Sequence, residues 1–164
     1  MGSLKPFPAG RGESAFLYVS ELSPQFARGA VQDIARVSRV HNEASGITGL
    51  LLFDGACFAQ WLEGSVQAMD HLLARLRADP RHRRMDVLWF ESPGHGRRFP
   101  QWHFGYLDLR HGGQNLSRLR GTRGADAMLL FGELGRGLVA ALHASSGRVS
   151  IDAPPPGLRV AREP

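Results

Sequence analysis

Hydrophobic and polar positions along the chain change period several times, and each change marks an expected element. Residues 15–20, AFLYVS, form a short apolar run bounded by polar residues, which predicts a strand. Within residues 27–45, Ala30, Ile34, Val37 and His41 fall at spacings of four, three and four. That is one side of a 3.6-residue period, so a helix is expected, with Gly46 placed to end it. Residues 47–53, ITGLLLF, are almost continuously apolar, as in a central strand covered on both faces. Asp54-Gly55 is a hairpin signal, and residues 56–63, ACFAQWLE, supply the return strand. Ser65 can cap a second helix whose buried stripe is Val66, Met69, Leu72, Leu73 and Leu76, and Asp79-Pro80 ends it. Residues 84–90 and 102–109 read as two more strands, separated by a loop containing Pro93, Gly94, Gly96 and Pro100.

The order is therefore β-α-β-β-α-β-β. Its first six elements match the split-βαβ, ferredoxin-like pattern. This predicts an α+β fold with both helices on one face of an antiparallel-rich sheet. Residues 1–13, rich in Gly, Pro and charge, are expected to be flexible, and residues 14–110 to form the folded domain. Residues 111–164 make a C-terminal extension: a Gly/Arg-rich linker over 111–124, a helix within 125–144 weakened by Gly132, Gly135 and Gly137, and a tail in which Pro154, Pro155 and Pro156 end regular structure. With both helices on one face, the other face would expose more apolar area than soluble monomers usually show. The extension is expected to pack there or to build an oligomer interface, which makes a homo-oligomer the expected assembly.

Composition narrows the function classes. A chain of 164 residues with 43% hydrophobic content suits one domain with an added segment. Cys57 is the only cysteine, so an intramolecular disulfide is impossible and the thiol reads as a small buried hydrophobe. The first residues lack the apolar run of a signal peptide, and no run is long enough to cross a bilayer. A cytoplasmic protein without a membrane partner is the expectation. The net charge of +5 raises a nucleic-acid reading, but the arginines lie in modest, scattered clusters such as Arg118, Arg120 and Arg123 and read as solvated surface. RNA-recognition motifs share the βαββαβ order but need a basic–Gly–aromatic pattern that ACFAQWLE lacks, so no nucleic acid is expected. An acylphosphatase-like enzyme would need a phosphate cradle after the first strand, where Glu21-Leu22-Ser23-Pro24 stands.

The candidate chemistry lies in polar residues placed where the pattern asks for apolar ones. The first helix stripe arrives at Ser38, His41 and Asn42. Alternation puts Gln60 between Phe58 and Leu62, and Tyr18 between Phe16 and Ser20. Each residue alone is an ordinary satisfied core residue. Together, Tyr18, Asn42 and Gln60 come from three elements that this topology draws close. Their donors and acceptors suit the edge of a flat heterocycle sandwiched by apolar walls.

Along nearly the whole of residues 15–109 the chain resembles the BLUF domain, a family of blue-light receptors. The matching stretches are FLYVS around Tyr18, SRVHNEASGITGLLLFDG from Ser38, FAQWLEG from Phe58, DPRHRR from Asp79 and RRFPQWHFGY from Arg97. The resemblance implies FAD (with FMN or riboflavin as alternatives) held non-covalently between the two helices. It implies a receptor that switches a hydrogen-bond network, not an enzyme that turns over substrate. Tyr18 is assigned as electron and proton donor to the excited flavin, and Gln60 as the side chain that rotates or tautomerises. Asn42 binds the ring's carbonyl edge, His41 and Arg81 line that edge, His82 lies nearby, and Ser38 stands behind Gln60. Trp102 belongs to the strand that relays the signal. Many members carry Met two residues after that tryptophan, whereas this chain has Phe104, so flavin binding is expected to be kept while output or dark recovery differs. Residues 110–164 are too few for a cyclase or phosphodiesterase, so a short, stand-alone receptor signalling to an unidentified downstream protein is expected. The alternative is a degenerate member that serves as an interaction module without flavin.

Overall fold

The computed structural model describes residues 12–26, 30–92, 96–107, 115–136 and 158–159. In chain order it contains β1 (Glu13–Leu22), α1 (Ala30–Ala44), β2 (Thr48–Phe53), β3 (Cys57–Ser65), α2 (Val66–Ala78), β4 (His82–Glu91), β5 (Trp102–Leu107), a 3-10 turn (Leu116–Leu119), α3 (Gly124–Leu134) and β6 (Leu158–Arg159). The sheet order is β4-β1-β3-β2-β5-β6. Its first four strands are the antiparallel ferredoxin-like set, and β5 joins β2 in parallel. The architecture is thus the expected α+β one. β6 is a correction: it pairs with β5 beyond Pro154, Pro155 and Pro156, where no further regular structure was expected.

The sheet is buried on both faces, which explains why its central strands lack polar alternation. On one face, Phe16, Tyr18, Leu62 and Val87 pack under α2 with Met69, Leu72 and Leu73. Beside them, Leu51, Phe53, Phe58 and Trp102 pack under α1 with Val31, Ile34 and Ala35. On the other face, Leu17, Val19, Leu50, Leu52 and Trp61 pack against Leu116 and Leu119 of the 3-10 turn and Ala127, Phe131 and Leu134 of α3. Burial of these extension side chains stabilises docking by roughly 1.5–3 kcal/mol for each large residue. The extension therefore covers the face that the two helices leave open.

Three local expectations need correction. The buried stripe of α1 runs one residue further along the chain than expected: Val31, Ala35 and Asn42 face inward, whereas Val37 is 36% exposed and His41 is exposed. Ile34 sits at the shared edge of the two stripes, so periodicity alone could not separate them. The hairpin turn is centred on Gly55-Ala56 and not on Asp54-Gly55. The Asp54 amide donates to the Cys57 carbonyl, and Gly55 takes a positive φ of +94°, which glycine adopts without the steric cost of a Cβ. Finally, the described part of the supposed linker, residues 115–124, is packed structure, since Leu116 and Leu119 are fully buried. α3 stops at Gly135, and Gly137 with the remainder of 125–144 lies outside the described residues.

Candidate functional site

The sheet register builds the centre of the site. Tyr18 pairs with Gln60, Gln60 with Leu51 and Leu51 with Phe104, so these residues form one row across four strands. All share the face covered by α1 and α2. The Tyr18 hydroxyl donates to Gln60 Oε1 at 2.9 Å, and both residues are buried, at 1% and 4% exposure. Gln60 Nε2 is buried and has no partner. An amide nitrogen carries two donors, and leaving it unsatisfied costs about 1–3 kcal/mol. A group that completes those bonds would remove the penalty.

Gln60 lines a cleft of about 490 Å³, within the roughly 300–1,000 Å³ range of small-molecule sites. Val37, Ser38 and Asn42 of α1 line one side, Leu72 and Leu76 of α2 another, and Asp79, Pro80, Arg81 and His82 the segment after α2. The structure thus brings Ser38, Asn42, Gln60, Arg81 and His82 together, with Tyr18 bonded to Gln60. His41 is not brought in: it is exposed and is not part of the cleft lining, because α1 turns its adjacent stripe inward. Trp102 and Phe104 also stand apart, under α1 beyond Leu51, where Trp102 is 8% exposed and its indole N–H has no partner.

Two further residues complete the electrostatics. Ser20, which shares the Tyr18 face, bonds His82 Nδ1 at 2.8 Å through its hydroxyl. His82 in turn packs over Phe58, with centroids 4.9 Å apart, and edge-on to Tyr18 at 6.1 Å. Burial lowers the His82 pKa to about 4; Asp79 opposes the shift and Arg81 adds to it. The imidazole is therefore neutral near pH 7. Arg81 Nε donates to Asp79 Oδ1 at 2.8 Å. Burial pushes the Asp79 carboxyl up, but the bonds and charge of Arg81 outweigh it, and the net shift is downward. Tyr18 is raised above the ordinary phenol value, first by burial and then by the Asp79 charge, so it stays a protonated donor. The sequence signals for this pair were slight. Asp79 read as a helix stop and the start of a matching stretch, and Ser20 as a neighbour on the Tyr18 face, with no role assigned to either.

The donor set fits a flat, polar-edged ring. The Gln60 amide, the Asn42 amide and the Arg81 guanidinium can meet carbonyl and ring-nitrogen acceptors, while Val37, Leu72 and Leu76 supply apolar walls. A family model described as sensors of blue light using FAD matches residues 14–105. The chain belongs to the BLUF family. The dark-state structure of BlrB, a BLUF protein, is 32% identical with a TM-score of 0.64 and covers 80% of this chain and 98% of that one. Klebsiella pneumoniae BlrP1 with FMN and cyclic diGMP is 27% identical with a TM-score of 0.57, over 76% of this chain and 35% of that one. Photoactivated adenylate cyclase subunit beta of Euglena gracilis is 37% identical over 83 residues, 51% of this chain. The match spans only 9% of that relative. Among the described residues no helix is long and apolar enough to cross a membrane, and no cluster suits a metal ion.

Proposed function

We propose that this chain senses blue light through a flavin held in the cleft between α1 and α2 and reports the light state to another protein, without turning over a substrate. The observation that carries the reading is Gln60. One end of its buried amide is bonded to a buried phenol, and the other is unpartnered at the wall of a cleft, in a chain of the BLUF family. FAD is the flavin in the family description, and FMN is an alternative, since it appears in the BlrP1 complex. Asn42, Gln60, Arg81 and His82 would hold the ring, with Ser38 beside them. The bound flavin supplies an electron acceptor that blue light activates.

The chain supplies the switch. Tyr18 gives an electron and its phenolic proton, the 2.9 Å bond to Gln60 Oε1 directs that proton onto the amide, and both return to the phenol once the amide has rearranged, so that the net change is one of hydrogen bonds. A hydroxyl both donates and accepts, so the Tyr18–Gln60 pair is satisfied with the amide turned either way. Turning or tautomerising it exchanges the group that Gln60 presents to the cleft. Two such networks differ by a small free energy, so the lit state relaxes thermally. Leu51 and Phe104 continue the Gln60 row toward β5, and Trp61, the next residue along β3, packs on the extension side. Phe104 is stiffer than Met and lacks a thioether, so output or dark recovery is the step it alters.

The test is the visible spectrum of the purified protein in the dark, under blue light and through recovery. A flavin spectrum with a small reversible red shift is expected. Tyr18→Phe and Gln60→Leu should each abolish the shift while flavin stays bound. Protein that remains colourless after incubation with FAD would point to a degenerate interaction module. Bound flavin that only bleaches would refute the Tyr18–Gln60 switch.

A further inference from the structure

Arginines that lie far apart in the chain meet on the folded surface. Arg83 and Arg84 stand at the start of β4, Arg118 and Arg120 in and just after the 3-10 turn, and Arg123 just before α3. Three of them converge on Glu21 near the end of β1. Arg83 Nε donates to one carboxylate oxygen of Glu21 at 3.0 Å, while Arg84 Nη1 and Arg120 Nη2 lie 3.0 and 3.4 Å from the other. Arg120 also donates to the Arg84 carbonyl at 2.9 Å, across 36 residues of chain. Arg123 pairs with Asp86 of β4 at 3.1 Å, and Arg118 is exposed with no ion pair to a described residue. Consecutive strand residues normally point to opposite faces. Arg83 and Arg84 both reach Glu21 because β4 carries one extra residue between the Val19–Asp86 and Glu21–Arg83 pairs. Within that bulge Arg84 takes φ +50°, the only positive φ outside glycine among the described residues. The cluster holds more donors than acceptors. Three guanidiniums share one carboxylate, and Arg120 Nε and Nη2 stay buried without a hydrogen-bond partner. Arg83, Arg84 and Arg123 turn the surplus outward, with side chains 53, 66 and 57% exposed.

We propose that this surface docks an acidic segment of a partner protein, the one that reads the light state. A carboxylate arriving at Arg83 and Arg84 frees Glu21 to turn to Arg120, whose buried donors then gain an acceptor. Arg118 and Arg123 extend the contact on the side of the C-terminal extension. A protein fits better than a nucleic acid. Glu21 and Asp86 stand among the arginines and would repel a continuous phosphate backbone. The exposed large apolar side chains among the described residues are Val37, Val40 and Leu129, so none offers an aromatic face for a base to stack on. The surface also stands directly behind the flavin cleft. Ser20 and His82 bond at 2.8 Å on the cleft side, and Glu21 and Arg83, the next residue on each strand, pair on the other side. A change in the bonds of His82 is therefore felt one residue away, at the carboxylate that holds the arginines. Naming the partner as the reader of the light state rests on the sensory reading above; the docking itself does not.

The probe is a synthetic peptide of alternating Glu and Ser, carrying a far-red dye that blue light does not excite. Its fluorescence anisotropy is titrated with the full chain in the dark. Saturable binding is expected in about 0.05 M salt, weakened at least tenfold in about 0.5 M. The triple variant Arg83→Gln, Arg118→Gln, Arg123→Gln should weaken binding at least tenfold. The control triple Arg36→Gln, Arg77→Gln, Arg136→Gln removes the same charge elsewhere and should change it less than twofold. Circular dichroism and the flavin spectrum check that both are folded, and none of the six residues lines the flavin cleft. No binding at low salt would overturn the proposal. Equal loss in the two triples would also overturn it, since net charge alone would then explain the attraction. An oligonucleotide of matched charge that binds tighter than the peptide, and is lost with the first triple, would overturn the protein partner in favour of nucleic acid. Under blue light the peptide affinity should change at least threefold. An unchanged affinity in protein whose flavin spectrum shifts normally would remove this surface from the signalling path. A flavin spectrum that does not shift would refute the sensory reading and leave the dark docking standing.

Discussion

Asp54 carries the clearest quantitative prediction. It is 4% exposed and sits between the strand that ends at Phe53 and the strand that bears Gln60. One carboxylate oxygen accepts from the amides of Ala56 and Cys57, at 2.9 and 2.7 Å. The other accepts from the Leu116 amide at 2.8 Å and so ties the C-terminal extension to the β2–β3 turn. Asp54→Ala removes all three bonds. Ala56 is exposed and its amide recovers a water partner, whereas Cys57 and Leu116 are buried. Two lost charge-assisted bonds at about 1.5 kcal/mol each give a destabilisation of about 3 kcal/mol. For a chain of this size that lowers Tm by roughly 6–12 °C. Asp54→Asn keeps an acceptor for the turn but can offer an N–H toward Leu116, so it should cost about 1–2 kcal/mol, with faster hydrogen exchange at the Leu116 amide. Thermal melts and amide exchange by mass spectrometry read both effects. If Asp54→Asn melted like the parent with unchanged exchange at Leu116, the carboxylate would not be what holds the extension.

Two more outcomes follow from the core. The folded His82 pKa of about 4 lies below the unfolded value, so the unfolded chain takes up the proton first as pH falls. Stability should be flat above pH 7 and fall between about pH 6.5 and 4, by at most about 3 kcal/mol. His103 is shifted the same way by burial, so the check is the difference between parent and His82→Gln melts across that window, and identical pH profiles would count against a buried neutral His82. Gly49 has φ +153°, and an added Cβ would lie 2.0 Å from the Trp61 carbonyl oxygen in the neighbouring strand. Gly49→Ala should cost more than about 3 kcal/mol; a denaturation midpoint close to the parent's would show that β2 and β3 can part there.

The order of elements was written in local pattern. Runs such as ITGLLLF, the Ser65 cap and the stripe of Met69, Leu72 and Leu73 depend on neighbours in the chain, and the structure reproduces them. The convergence of Ser38, Asn42 and Gln60 was legible because two-residue and 3.6-residue periods assign polar side chains to faces before any contact is known, whereas Arg81 and His82 entered only through the family resemblance. What local pattern could not decide was rotation and partnership. Val31 or Ala30 could each have headed the buried face of α1, and only packing against β2 and β5 chose the stripe that turns Asn42 in and leaves His41 out. Glu63, fully buried on β3, accepts from the amides of Arg98 and Phe99, and nothing in ACFAQWLE foretells partners 35 and 36 residues away. The linker became packed structure for the same reason. A Gly/Arg-rich segment has little helical preference of its own, but Leu116 and Leu119 gain burial once the sheet offers an apolar face and Asp54 a carboxylate. Long-range contacts decide such positions because their free energy exists only after the sheet has assembled, whereas periodicity and capping act within a few residues.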